Sequence, residues 1–233
     1  MTPKGSAQRV PGYRLQPTIE AVQRFRGAWS RHHKPDDINQ ILRLFRKVEL
    51  ESGYQLDYIA LGRGANTKVW PFARELKPKS GKTLPSALEG IPPDRLIAEE
   101  PGHGLRAVEY ETLYRYLSYD HSPQGLVEYA LFVPEMWALK SDARGHEWLS
   151  LEPLVVRHAF DSVLRKAGSQ LVRVARPGHY DPEVQMGSDQ GLVSFLAYQP
   201  GPWRRIARIE IVVDGQGFVT WDVKEVIASL QRR

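Results

Sequence analysis

The chain has 233 residues, a formal net charge of +5, 42% hydrophobic and 25% charged residues, and no cysteine. These values suit one large globular domain or two small ones. They exclude disulfide frameworks, disulfide-linked partners, thiolate metal sites and cysteine nucleophiles. No run approaches the roughly 18 apolar residues of a membrane span, and the first six residues have no apolar signal core, so the expectation is a cytoplasmic protein with no membrane partner.

Residues 1–12 carry Pro3, Gly5, Pro11 and Gly12 and predict a flexible N-terminal arm. Pro17 suits a first helical turn, and Ile19, Val22, Phe25 and Trp29 follow at helical spacing. Asp36 and Asp37 offer caps to a second helix carrying Ile38, Ile41, Leu42, Phe45 and Val48, which Gly53 ends. Residues 54–61 and 67–73 read as a hairpin around 62–66, with Pro71 demanding a short or edge strand. Residues 77–93 read as an exposed loop. A hairpin turn is predicted at Gly102 and Gly104, then a helix carrying Tyr110, Leu113, Tyr114 and Leu117. Residues 126–133 read as a strand. A helix over 152–167 capped at Gly168, strands at 170–175 and 192–198, a hairpin over 205–221 turning at 214–217, and a terminal helix over 223–230 complete the pattern.

Two stretches of the chain resemble each other. Residues 208–230 align with 95–117 without a gap, sharing Gly-x-Gly and an acid at Asp222 and Glu109. Upstream, Phe45, Val48, Gly53, Gln55, Leu56 and Ala60 recur as Phe160, Val163, Gly168, Gln170, Leu171 and Ala175. Self-similarity of this kind predicts a duplicated unit. The expected fold is α+β, a tandem duplication of an α-β-β-β-β-α unit with helices packed on antiparallel sheets and a pseudo-two-fold arrangement. The units are residues 13–120 and 130–233, joined by a linker over 121–129, and a groove is expected between them.

Three chemical patterns stand out. Arg24, Arg26, Arg31, Lys34, Arg43, Arg46 and Lys47 lie on or beside the first two helices, and Trp203, Arg204, Arg205 and Arg208 enter the final hairpin. Arginines interleaved with aromatics can hold a phosphodiester chain and stack on its bases. The leading expectation is therefore a non-enzymatic protein that binds DNA, RNA or a nucleoprotein complex, without a cofactor. Second, Glu210 on one strand faces Asp222-Val-Lys224 on the next, an arrangement that resembles restriction-type nuclease sites. There two carboxylates hold Mg²⁺ and a lysine orients the attacking water, while Asp222 equally suits a helix cap. Third, the six tryptophans and ten tyrosines supply aromatic surface for a protein partner, as in a chaperone-like or adaptor module.

Other motifs are incomplete. Ser80-Gly81-Lys82-Thr83 matches the end of a phosphate-binding loop, but Leu76 stands where its first glycine belongs and Pro85 interrupts the helix that should follow. The Arg-x5-His spacing of some helical ribonucleases occurs twice, at Arg26–His32 and Arg173–His179, in a chain rich in predicted strands. The seven histidines show no metal-ligand spacing.

Overall fold

The computed structural model describes residues 6–32, 37–61, 68–78, 84–89, 91, 106–140, 151–168, 171–199 and 204–230. In chain order the elements are β1 (Gln8–Arg9), α1 (Gly12–His32), α2 (Asn39–Leu44), β2 (Val48–Leu50), β3 (Tyr54–Leu61), β4 (Lys68–Glu75), α3 (Arg106–Thr112), β5 (Leu117–Tyr119), α4 (Pro123–Lys140), β6 (Glu152–Pro153), α5 (Arg157–Ala167), β7 (Leu171–Val174), β8 (Glu183–Met186), β9 (Gln190–Gln199), β10 (Arg205–Asp214) and β11 (Val219–Leu230). The mixture of helices with antiparallel sheets is α+β.

The large sheet runs β1-β8-β9-β10-β11-β7, every pairing antiparallel, with β6 added beside the far end of β9. Two further sheets have two strands each, β2 with β5 and β3 with β4. Strand side chains alternate between faces. Val193, Phe195, Ile209, Ile211 and Val213 therefore share the face of the main core, while Leu196, Ile206 and Ala228 meet Phe160 of α5 in a second core.

Helix α4 organises the main core. Leu126, Val127, Tyr129, Ala130, Phe132, Val133, Met136 and Trp137 are all buried. A helix apolar on every side must be enclosed, and α4 touches β8, β9, β10 and β11 as well as β2, β4 and β5. This corrects the strand expected at 126–133: a continuous apolar run has no period that separates a buried helix from a buried strand. The linker expected over 121–129 is overturned for the same reason, since from Pro123 onward those residues belong to this helix.

Other local expectations change as well. The terminal helix expected at 223–230 is strand, because β11 runs unbroken to Leu230 and pairs with both β10 and β7. Val223, Val226 and Ile227 favour a pleated strand, so Asp222 lies within a strand and caps no helix. The helix expected around Tyr110–Leu117 stops at Thr112, and a 3-10 turn over Tyr114–Tyr116 leads into β5. Consequently the match at offset 113 sets a helix, α3, against part of strand β11. The second helix is short, α2 giving way to β2 at Val48. Helix α1 begins at Gly12, five residues before Pro17. Gln8 and Arg9 pair with β8 and Val10 is buried, so this part of the expected arm is docked. The turns expected at 62–66 and at Gly102 and Gly104 lie outside the described residues, as do Ser80-Gly81-Lys82-Thr83.

Asn39 joins α2 to the small hairpin. Its side-chain oxygen accepts the Leu56 N–H at 2.8 Å and its Nδ2 donates to the Leu56 carbonyl at 3.0 Å, on the side of β3 away from β4.

Candidate binding cleft

At one end of the large sheet, the β8–β9 and β10–β11 turns face the segment from α3 through β5 to the start of α4. Between them lies an open cleft of about 340 Å³, within the usual range of ligand sites. Tyr110, Tyr114, Tyr119 and Tyr129 line it, together with His121, Arg115, Ser188, Asp189, Gln190 and the turn residues 214–217.

Two aromatic groups build the cleft. Tyr110 and Tyr114 pack on Phe218, with ring centroids 5.8 and 5.2 Å apart. Tyr119 lies 5.4 Å from Tyr129 and 5.0 Å from His121. Tyr114 and Tyr129 are buried, while Tyr110 and Tyr119 are part-exposed and His121 is exposed. The buried pair are fixed by hydrogen bonds: Trp137 Nε1 donates to the Tyr114 hydroxyl at 2.5 Å, and the Tyr129 hydroxyl donates to the Gly217 carbonyl at 3.0 Å. Burial raises the Tyr129 phenol far above its ordinary value, with the Tyr119 ring and the Asp214 charge adding to the effect. The hydroxyl therefore stays protonated and keeps donating.

The turn at 214–217 requires its glycine. Gly217 has φ +79°, and a Cβ there would fall 2.4 Å from the Tyr129 hydroxyl. Asp214 accepts the Gln216 and Phe218 N–H groups, each at 2.9 Å, so its carboxylate is engaged in shaping the turn. The cleft thus combines a rigid aromatic floor, accessible rings at its sides and few charged groups, Arg115 being paired with Glu111 and Asp214 engaged in its own turn. Such a lining suits a flat, largely uncharged group with hydrogen-bonding edges.

The structure distributes the expected arginines over different tasks. Arg26 is enclosed between α1 and α4, bonded through both Nε and Nη2 to the buried Glu135 and reaching the Leu151 carbonyl. Burial alone would lower its pKa, but the charge and hydrogen bonds of Glu135 outweigh that and leave it raised. Arg43 pairs with Asp37 at 3.2 Å, and Arg205 donates to Gln199 at 2.6 Å. Arg24, Arg46 and Arg204 are exposed. The side chain of Arg31, and all of Lys34 and Trp203, lie outside the described residues.

Glu210, Asp222 and Lys224 do come together. Glu210 and Asp222 are direct cross-strand partners, and Lys224 Nζ lies 3.3 Å from Glu210 and 3.2 Å from Asp222. Hydrogen bonds to Asp222 and then Glu210 raise the Lys224 pKa. The same row continues through Ser194 to Glu183 on β8. It shares the face that carries the second core under α5: Ser194 is buried, and exposure rises along the row to the Asp222 side chain, 68% exposed. Among the described residues, no three histidines or acids converge as a metal site.

No motif in the sequence marks the cleft. The tyrosines at 110, 114, 119 and 129 are dense in the sequence, and that density is the one feature that could have drawn attention to it; the opposing turns come from residues 60 to 100 positions later. No protein-family model, curated protein or solved structure matches this chain.

Proposed function

We propose that this chain is a non-enzymatic binding protein whose ligand places a flat, uncharged ring in the tyrosine cleft. The base of a single-stranded nucleic acid has that shape, and its phosphates are attracted by a net charge of +5. Base stacking on aromatic side chains tolerates many sequences. The observation that carries the reading is the cleft itself, with Tyr110, Tyr119 and His121 accessible above a floor of Tyr114 and Tyr129. Its walls come from residues 110–121 on one side and 186–217 on the other.

The test is fluorescence anisotropy with labelled single-stranded and duplex oligonucleotides over a range of salt. Binding that favours the single strand, weakens with salt and is lost in Tyr119→Ala supports the reading. Equal or absent binding of both probes overturns it.

A second reading rests on Lys224, whose ammonium reaches both Glu210 and Asp222. In that reading the two carboxylates would take Mg²⁺ and the lysine would orient water. Mg²⁺-dependent cleavage of DNA or RNA that disappears in Asp222→Asn supports it. An uncut substrate at high protein concentration with Mg²⁺ or Mn²⁺ discards it.

A further inference from the structure

Backbone geometry singles out one residue of the cleft. His121 has φ +53°, one of two non-glycine residues among those described with positive φ. Glycine is the default in that region, and other residues adopt it at a cost that the surrounding structure must impose.

The surroundings of His121 do impose it. On its N-terminal side, the Asp120 N–H donates to the Lys47 carbonyl at 3.2 Å and Lys47 Nζ pairs with the Asp120 carboxylate at 2.6 Å. On its C-terminal side, the Ser122 N–H and hydroxyl both donate to Asp120 Oδ1, at 3.1 and 2.5 Å. Ser122 then accepts from Gly125 through its hydroxyl and from Leu126 through its carbonyl, capping α4. Gly125 completes the lock, since a Cβ there would fall 2.2 Å from Asp120 Oδ1. Residues 120 and 122 therefore make the turn and the cap, and neither task uses the side chain of residue 121. That side chain is an exposed imidazole 5.0 Å from the Tyr119 ring, in the lining of the cleft.

We infer that His121 is a ligand-contacting residue, its ring placed beside Tyr119 at the cleft mouth by a left-handed backbone that the turn and cap impose, where glycine would serve the fold as well. The inference rests on the cleft being the binding site. It assigns His121 an effect on binding opposite to its effect on stability.

The test uses the full chain as wild type, His121→Gly and His121→Phe, with a labelled single-stranded decanucleotide and thermal melting. His121→Gly is expected to melt at the same temperature or higher while binding about tenfold more weakly, the scale of one lost base-stacking contact. His121→Phe keeps a ring and is expected to retain most of the affinity despite a lower melting temperature. Wild-type affinity in His121→Gly, or a fall in its melting temperature, overturns the inference while leaving the cleft reading intact. Absence of binding by the wild-type chain overturns both.

Discussion

Two of the charged groups that bridge elements in this molecule do so under opposite conditions. Arg26 and Glu135 meet inside, between α1 and α4, with 27% and 9% of their side chains exposed. Lys224 meets Glu210 and Asp222 towards solvent, near the turn of the last hairpin, with 46%, 29% and 68% exposed. The partners are chemically alike, but burial changes what each can do. An enclosed pair cannot lose one member cheaply, because the other is left charged and dry. An exposed set is solvated either way, contributes little to folding and stays accessible to a ligand. Charge in the sequence marks both places equally; solvent separates structural work from chemistry.

The comparison is broken most directly from the inside. Arg26→Ala is expected to destabilise the protein by about 3–5 kcal/mol, since it strands the nearly inaccessible Glu135. Glu135→Ala should cost less, because Arg26 retains a path to water. Denaturant unfolding of both variants measures the asymmetry, and equal losses would contradict it.

A middle case is the Tyr129 hydroxyl, polar but uncharged and bonded to the Gly217 carbonyl in the floor of the cleft. Tyr129→Phe removes one hydrogen bond and should cost about 1 kcal/mol. It should also change the alkaline limb of the stability curve. The folded phenol keeps its proton above its ordinary value of 10.0, where an unfolded one releases it. The unfolded state then binds fewer protons, so stability is full below pH 10 and falls as pH rises above it. The variant should lose part of that slope, read as melting temperature against pH from 9 to 12.

The smallest effect belongs to the outer row. Lys224→Ala and Asp222→Asn should leave the melting temperature unchanged within error, so that any loss of binding or cleavage in them reports chemistry rather than folding. A clear destabilisation by either would make the row part of the fold.

Much of the local structure was legible in the sequence because it obeys periodicity. Strands β3 and β4, the helix ending at Gly168, and the β10–β11 hairpin with its turn at 214–217 follow alternation, helical spacing and glycine placement. Helix α4 was not legible as a helix because enclosure erased its polar face. The end of β11 is ambiguous in the sequence because eight residues of mixed apolar and polar character satisfy helix and strand alike. The juxtaposition of Glu210, Asp222 and Lys224 was legible, since a hairpin with a known turn fixes its own register. The cleft was not, because it joins the tips of two hairpins to a segment far away in the chain. Arg26 illustrates the same limit, its partner Glu135 lying 109 positions away.

Asn39 carries a consequence beyond anchoring α2. Among the described residues no strand lies on the outer side of β3, and an open strand edge is a template on which another chain can add itself. The carboxamide of Asn39 has the donor and acceptor of a peptide unit and occupies both Leu56 groups as a neighbouring strand would. One side chain thereby acts as a decoy strand one residue long. Its removal would be felt first in concentrated solution, as chains stacking edge to edge, before any change in the folded monomer.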